Sequence, residues 1–324
     1  MRRVELYVNF ERPLSPDERA TLRDWVARRG AGEPLQYITG EVAFRHIAVK
    51  VREGVLIPRP ETEVLVSEAL ALLPAPERRR ALDSTLTVDE FEQLQAEAAA
   101  KADLEASGVV EGALPGQDGA RGVGDEVERV ADATIEASHE KADSSCDDVL
   151  YVADICTGSG CIACSIAFEN PKTRVLACDI APEAIALAKE NVAALNLEKH
   201  VAVLQGDLGA PVGERFMGKL SLVVSNPPYI PTQVLDDMAT EVTEHEPELA
   251  LDGGTDGLDL YRPLATWAIR ALAAGGGFAV ELHETCLDAA ATFAESCGFT
   301  DVRIVDDLAG RPRVLTARKP NVVA

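Results

Sequence analysis

VLYVADICTGSG, residues 149–160, is an apolar run that ends in a glycine-bracketed loop, and the small, apolar CIACSIAFE (161–169) follows it. An apolar run of this length bounded by turn residues reads as a buried strand, and the segment after it as a helix. Gly158 and Gly160 let the backbone turn tightly and approach a ligand. A second apolar run, RVLACDI, ends in Asp179, twenty-one residues beyond Gly158. A carboxylate there can accept hydrogen bonds from both hydroxyls of a ribose. Strand, loop, helix and acid together fit a nucleoside-bearing cofactor at the C-terminal ends of the strands. The cofactor itself stays open at this point, because Gly158-x-Gly160-x-x-Ala163 also satisfies the dinucleotide fingerprint.

The alternation continues outward. PEAIALAKENVAAL reads as a helix with Pro182 early in it, then VAVLQGD as a third strand and LSLVVS as a fourth. Helical pattern covers parts of 233–244 and 258–274. GGGFAVEL reads as a fifth strand after a glycine turn, TCLDAAATFAESCG as a helix ended by Gly298, and VRIVDDL and RPRVLTARK as two more strands. Strand–helix alternation on this scale predicts an α/β doubly wound sheet. The last two strands share only a short AGR link and should run antiparallel.

Upstream, SPDERATLRDWVARR (15–29) reads as a helix capped by Ser15, with Pro16 in its first position and Glu18 completing a capping box. Leu22, Trp25 and Val26 give it one apolar face. Residues 35–57 alternate in two bursts, VAFRHIAV and VKVREGVLI, which predicts a hairpin or short strands. EVLVSEALALL is a helix stopped by Pro74. Residues 76–148 differ in character: they hold 19 Asp and Glu against 7 Lys and Arg, and few residues that could pack. They read as an inserted, largely disordered acidic segment with one helix near 87–106.

The 324 residues suffice for two domains, and 47% hydrophobic content is that of a globular protein. No apolar run approaches 18 residues, and MRRVELYVNFERPL lacks an apolar signal core, so no membrane association and a cytoplasmic location are expected. The net charge is −23, and the chain outside 76–148 still carries −11. Direct nucleic-acid binding, which relies on clustered Lys and Arg, is not expected. Seven cysteines in such a chain should be free thiols. Cys156-x4-Cys161-x2-Cys164, with Cys178 as a fourth, has iron–sulfur spacing. The glycine loop and helix start already account for these positions, so we read Cys161, Cys164 and Cys178 as small buried hydrophobes and expect no metal.

SNPPYI (225–230) ends the fourth strand in an amide, two prolines and an aromatic ring. TGSG after the first strand, an acidic end to the second, GD after the third and NPPY after the fourth resemble the S-adenosyl-L-methionine-dependent enzymes that methylate a planar nitrogen. PLQYITGEVAF (34–44), GVLIPRPETE (54–63), EPELALDGGTDGLDLYR (246–262) and DLAGRPRV (307–314) narrow the resemblance to the HemK/PrmC family, over residues 1–75 and 149–324. That family methylates the glutamine of the Gly-Gly-Gln loop of peptide chain release factors at N5. The resemblance implies a Rossmann-like class I methyltransferase fold, with a seven-stranded sheet whose last strand is antiparallel, plus a small helical N-terminal domain. It implies cofactor contacts at Cys156, Thr157, Gly158, Ser159, Gly160, Asp179, Asp207, Leu208 and Asn226. It places Asn226, Pro227, Pro228, Tyr229, Arg59 and Glu61 at the substrate. The implied division is a partial docking domain over 1–35, a hairpin and helix linker over 36–75, the insertion over 76–148, and the methyltransferase domain over 149–324. Glutamine methylation of a ribosomal protein and amino-methylation of a nucleic acid use related motifs and remain alternatives.

The residues suit that chemistry. A carboxamide nitrogen is a poor nucleophile because its lone pair is delocalised into the carbonyl. An enzyme must hold both N–H bonds and aim the nitrogen. The Asn226 side-chain carbonyl is one acceptor and the Pro227 carbonyl the other, and Tyr229 stacks on the flat amide. Proline biases its predecessor to extended geometry and fixes its own φ, so these groups are pre-aimed. No general base is needed, since the proton leaves after methyl transfer. Positioning of this kind is worth about 7–11 kcal/mol. One departure concerns the loop: the family usually carries glycine where this chain has Cys156, so a cysteine fits only if φ there is negative or the loop relaxes, which would alter cofactor affinity.

Overall fold

The computed structural model describes residues 7, 8, 10–73, 149–235 and 246–321. The expectations for the insertion, for Cys146 and for helix across 236–244 fall outside the described residues.

In chain order, the elements are α1 (Pro16–Gly30), α2 (Leu35–Thr39), β1 (Glu41–Phe44), β2 (Ile47–Lys50) and α3 (Thr62–Leu72). After the gap come β3 (Leu150–Ile155), α4 (Cys161–Glu169), β4 (Thr173–Asp179), α5 (Pro182–Ala194), β5 (Val201–Gln205), β6 (Leu220–Ser225) and α6 (Thr232–Leu235). α7 (Tyr261–Ala271), β7 (Leu272–Glu281), α8 (Leu287–Ser296), β8 (Thr300–Asp306) and β9 (Pro312–Arg318) complete the chain. β3 to β9 form one seven-stranded sheet in the order β5-β4-β3-β6-β7-β9-β8. The first five pair in parallel, and β9 runs antiparallel to both of its neighbours, β7 and β8. The chain works outward from β3 to β5 and then returns to β6 on the other side of β3. That reversal opens a crevice at the C-terminal ends of β3 and β6, where open α/β sheets bind ligands.

β3 and β6 are buried along their whole length, as strands covered on both faces must be. One face packs Val152, Val175, Val203 and Val224 against Leu65 and Val66 of α3, Ile162 and Ile166 of α4, and Ile185 and Val192 of α5. Each such side chain contributes about 1.5–3 kcal/mol through burial. The opposite face is aromatic: Phe278 of β7 stacks between Tyr261 of α7, at 6.3 Å, and Phe299, at 5.0 Å. Cys161, Cys164 and Cys178 are buried in this interior.

The antiparallel β1–β2 hairpin packs on α4 and α5. Arg45 in its turn makes a bidentate pair with Glu169 of α4, at 2.6 and 2.7 Å. Asn191 of α5 accepts from the Lys50 backbone N–H at 2.7 Å and donates to the Ser159 carbonyl at 2.8 Å, so one buried amide ties the hairpin to the glycine loop.

Three details differ from the sequence reading. The second burst, 49–57, leaves the sheet after Lys50. Val51, Val55 and Ile57 are buried; the Val51 N–H still donates to the Gly40 carbonyl at 3.1 Å, but the backbone then follows a turn through Arg52–Val55 instead of continuing as a strand. β7 begins at Leu272, before the glycines, where Leu272 pairs with Leu220 of β6; within it Gly277 lets Leu72 of α3 approach, since a Cβ there would stand 2.7 Å from the Leu72 Cβ. α1 has its capping box, with Glu18 N–H donating to Ser15 at 3.1 Å and Ser15 N–H to Glu18 at 2.8 Å. It buries none of its residues, however, and Leu22 and Val26 are 42% and 72% exposed.

Candidate active site

A cavity of about 240 Å³ opens at the C-terminal ends of β3, β4, β5 and β6. Its walls bring together residues far apart in sequence: Arg59 and Thr62; Cys156, Thr157, Gly158 and Ser159; Asp179 and Ile180; Asp207 and Leu208; Asn226 and Pro228; and Pro247, Leu249 and Ala250.

The glycine loop is held from both sides. Thr157 donates from Oγ1 to Oδ2 of Asp154 at 2.5 Å, and the same oxygen accepts the Ala163 N–H at 3.1 Å, so Asp154 joins the loop to the first turn of α4. Asp154 is fully buried, which pushes its carboxyl up to about 7. Asp179 accepts from the Gly158 N–H at 2.8 Å through Oδ2 and from the Ala181 N–H at 3.0 Å through Oδ1. Each oxygen keeps a further lone pair for a ligand. Burial raises this carboxyl above the ordinary range. Cys156 lines the cavity with φ +60°, so of the two ways for a cysteine to fit, negative φ is excluded: the backbone holds the left-handed geometry that glycine would serve. Burial pushes its thiol well above the ordinary range, which leaves it protonated and poorly reactive.

The far wall comes from outside the sheet. Tyr37 donates to the Val55 carbonyl at 2.9 Å and pins the 54–59 loop along the cavity. Arg59 pairs with Glu246 at 2.6 Å, a carboxylate whose side chain is 1% exposed. Glu61 does not line the cavity; its nearest cation is Arg311, at 3.9 Å. Gly160 stands behind the loop as the N-cap of α4 with φ +79°, where a Cβ would meet Ala188 of α5 at 3.2 Å. Pro227 is buried, and Tyr229 turns its hydroxyl away to donate to Glu281 at 3.1 Å; neither lines the cavity.

The sequence reading missed Thr62, Asn191, Glu246 and Glu281. Thr62 and Glu246 lie inside motifs already singled out. Asn191 and Glu281 carry no local signal, because a polar residue on a helix or at a strand end looks solvated until the fold buries it.

Among the lining residues, Asp179, Glu183 and Asp207 oppose one guanidinium, Arg59, beside the apolar Ile180 and Leu208. That balance fits a cationic ligand with ribose hydroxyls and a flat base, and S-adenosyl-L-methionine carries a sulfonium, an ammonium and adenosine. Sheet order, reversed strand and cavity together define a class I methyltransferase, with S-adenosyl-L-methionine as methyl donor. Residues 144–255 match the family profile of the methyltransferase small domain and residues 1–40 that of the PrmC N-terminal domain. The chain is 33% identical over 98% of its length to the release factor glutamine methyltransferase of Caulobacter vibrioides, covering 84% of that protein. The corresponding figures are 34%, 98% and 84% for that of Geobacter sulfurreducens, and 34%, 94% and 83% for that of Streptomyces coelicolor. The chain belongs to the release factor glutamine methyltransferase family.

Proposed function

We propose that this chain methylates N5 of the glutamine in the Gly-Gly-Gln loop of peptide chain release factors, in the cytoplasm. The observation that carries the reading is Asn226. It lies at the end of β6, in the wall of the same cavity that Asp179 and Asp207 enter from β4 and β5. Two prolines follow it, so a side-chain amide stands at fixed distance from the cofactor region on a backbone with little freedom. The names of the relatives support the same substrate.

When bound, S-adenosyl-L-methionine supplies an electrophilic methyl carbon. The chain's own groups bind and aim the acceptor. In this reading, the Asn226 side-chain carbonyl and the Pro227 backbone carbonyl accept the two amide N–H bonds, and Pro228 and Tyr229 shape the slot that excludes water. Arg59, held by Glu246, places the one lining cation at the rim. We assign residues 1–35 to docking of the protein substrate, with the uncovered Leu22 and Val26 of α1 as contacts, and residues 149–324 to the chemistry. Direct nucleic-acid binding is not part of this reading, given the net charge of −23.

The test is one reaction with labelled S-adenosyl-L-methionine, a release factor, ribosomal proteins and duplex DNA, followed by mass spectrometry of each labelled species. A methyl group on the Gly-Gly-Gln glutamine is the expected result. Label only on a ribosomal protein or on DNA overturns the substrate and leaves the fold and cofactor standing.

A further inference from the structure

Behind Asn226 lies a chain of polar groups that the reaction as described does not use. Asn226 donates from Nδ2 to Oγ1 of Thr62 at 3.3 Å. Thr62 is the first residue of α3 and is 2% exposed. Beyond it sits Glu281, the last residue of β7, which is 1% exposed. Glu281 accepts from the Tyr229 hydroxyl at 3.1 Å through Oε1, while Oε2 is buried with no hydrogen-bond partner among the described residues. Burial favours its neutral form; the hydroxyls of Thr62 and Tyr229 and the charge of Arg313 oppose that.

The chemical consequence concerns polarity. The two ends of an asparagine amide have nearly the same shape, so packing cannot choose between them; only hydrogen-bond partners can. In its ionised form Glu281 is acceptor-only, and its Oε2 is unmet among the described residues. In that form it attracts the single O–H of Thr62, a hydroxyl that favours the charged carboxyl as the Tyr229 hydroxyl does. The Thr62 oxygen is left as an acceptor, and only the NH₂ end of Asn226 can meet it. The carbonyl end must then face the cavity. Turned the other way, Asn226 would present N–H bonds to the N–H bonds of an incoming amide, and two donors would oppose each other.

We propose that Glu281, acting through Thr62, is a positioning residue that sets which end of the Asn226 amide faces the methyl acceptor, and that its bond to Tyr229 places the second wall of the same slot. The inference rests on the glutamine-amide reading above. It goes beyond it in naming how acceptor polarity is enforced from outside the cavity.

The experiment compares Glu281→Gln, Thr62→Val, Thr62→Ser and the double variant Glu281→Gln/Thr62→Val in the full chain, with a release factor as acceptor. Three quantities are measured: kcat, acceptor KM and the dissociation constant of S-adenosyl-L-methionine. Glutamine at 281 can donate as well as accept, which frees Thr62 and lets Asn226 turn. We expect kcat to fall about 10- to 100-fold, the scale of a misplaced reacting group, with cofactor affinity within about threefold of wild type. Thr62→Val should fall as far, Thr62→Ser should recover most of that loss, and the double variant should be little worse than either single one. A Glu281→Gln enzyme with unchanged kcat overturns the proposal. So does a loss carried entirely by cofactor affinity. If Glu281→Gln does not fold, the Thr62 pair decides, since both variants leave Glu281 in place: equal kcat for serine and valine overturns the relay. A wild-type enzyme that labels another amide or amine overturns the substrate reading, and the variants are then compared on that acceptor.

Discussion

Gly257 lies against the backbone of Tyr229: a Cβ built on it would stand 2.4 Å from the Tyr229 carbonyl oxygen and 2.8 Å from Sγ of Cys286. The neighbouring Gly253 is as close, with a Cβ position 2.7 Å from the Tyr229 Cα. Between them, Ile230 donates to the Leu251 carbonyl at 2.9 Å and accepts from the Gly253 N–H at 2.8 Å. The DGGTDG segment is therefore the brace that holds Asn-Pro-Pro-Tyr in place. Gly257→Ala should shift Tyr229 and lower kcat about tenfold or more, although Gly257 does not line the cavity. Gly40→Ala is the control. Its φ of +77° is close to the +75° of Gly257 and its backbone is left-handed, but nothing lies within 4 Å of its Cβ position. Both variants should lose about 1–2 kcal/mol of stability for the left-handed backbone, and only Gly257→Ala should lose turnover. Equal kcat in the two would show that the brace does not reach the site.

Asn226 and Asp179 face one cavity from different strands and should fail differently when truncated. Asn226→Ala removes an acceptor for the substrate amide and should cut kcat at least 100-fold, with cofactor affinity within about threefold. Asp179→Ala removes a carboxylate for the ribose and releases the Gly158 and Ala181 N–H groups that it now holds. It should weaken cofactor binding by at least about tenfold, the scale of a lost hydrogen bond to a charged group. Calorimetric titration of the cofactor and saturated single-turnover rates separate the two. An Asn226→Ala enzyme that loses cofactor binding yet turns over normally at saturation would reverse the roles.

Legibility from sequence followed range. The loop between β3 and α4, its acidic partner Asp179 and the Asn-Pro-Pro-Tyr strand end are each set by a few contiguous residues; Thr157, Gly158, Asp179, Asn226 and Pro228 line one cavity, while Pro227 and Tyr229 do not. The antiparallel β8–β9 pair was readable because so short a link, five residues from 307 to 311 in the fold, is too short for a parallel crossover. What escaped was non-local. The 49–57 burst alternates like a strand, but Val55 and Ile57 are buried against the site while their backbone finds no strand to pair with. Glu281 meets Tyr229 only because β7 lies beside β6. The apolar face of α1 follows the helical period, and that period says nothing about whether Leu22 and Val26 will be covered.

Cys156 occupies left-handed backbone at φ +60°, where a side chain costs about 1–2 kcal/mol relative to glycine. Cys156→Gly removes that strain and also removes the partly buried thiol, so the two effects should nearly cancel, leaving stability within about 1 kcal/mol of wild type. Cys156→Val adds a second branch at Cβ, which tolerates this φ far worse, and should be less stable than Cys156→Gly by about 2 kcal/mol or more. Urea unfolding of the three proteins decides it. A valine variant as stable as the glycine variant would mean that the loop relaxes out of the left-handed region.

Asp154 predicts a pH dependence of stability. Its carboxyl titrates near 7 in the folded chain, because it is buried, against 3.8 as its ordinary value. Between about pH 4 and pH 7 the folded state therefore holds a proton that the unfolded state has released. By linkage, stability falls as pH rises through that window, by up to about 1.4 kcal/mol per pH unit, and levels off above it. Burial raises Asp179 and Glu281 in the same direction, so the wild-type slope is shared among the three. The difference between wild type and Asp154→Asn isolates one of them. The asparagine can still accept the Thr157 and Ala163 hydrogen bonds through its carbonyl oxygen but cannot titrate. Its unfolding free energy, measured by denaturant at pH 4.5, 5.5, 6.5 and 7.5, should fall less steeply than that of wild type below pH 7 and run parallel to it above. Parallel curves throughout would mean that Asp154 is ionised across the range, with Thr157 and the Ala163 N–H stabilising the charge more than burial opposes it.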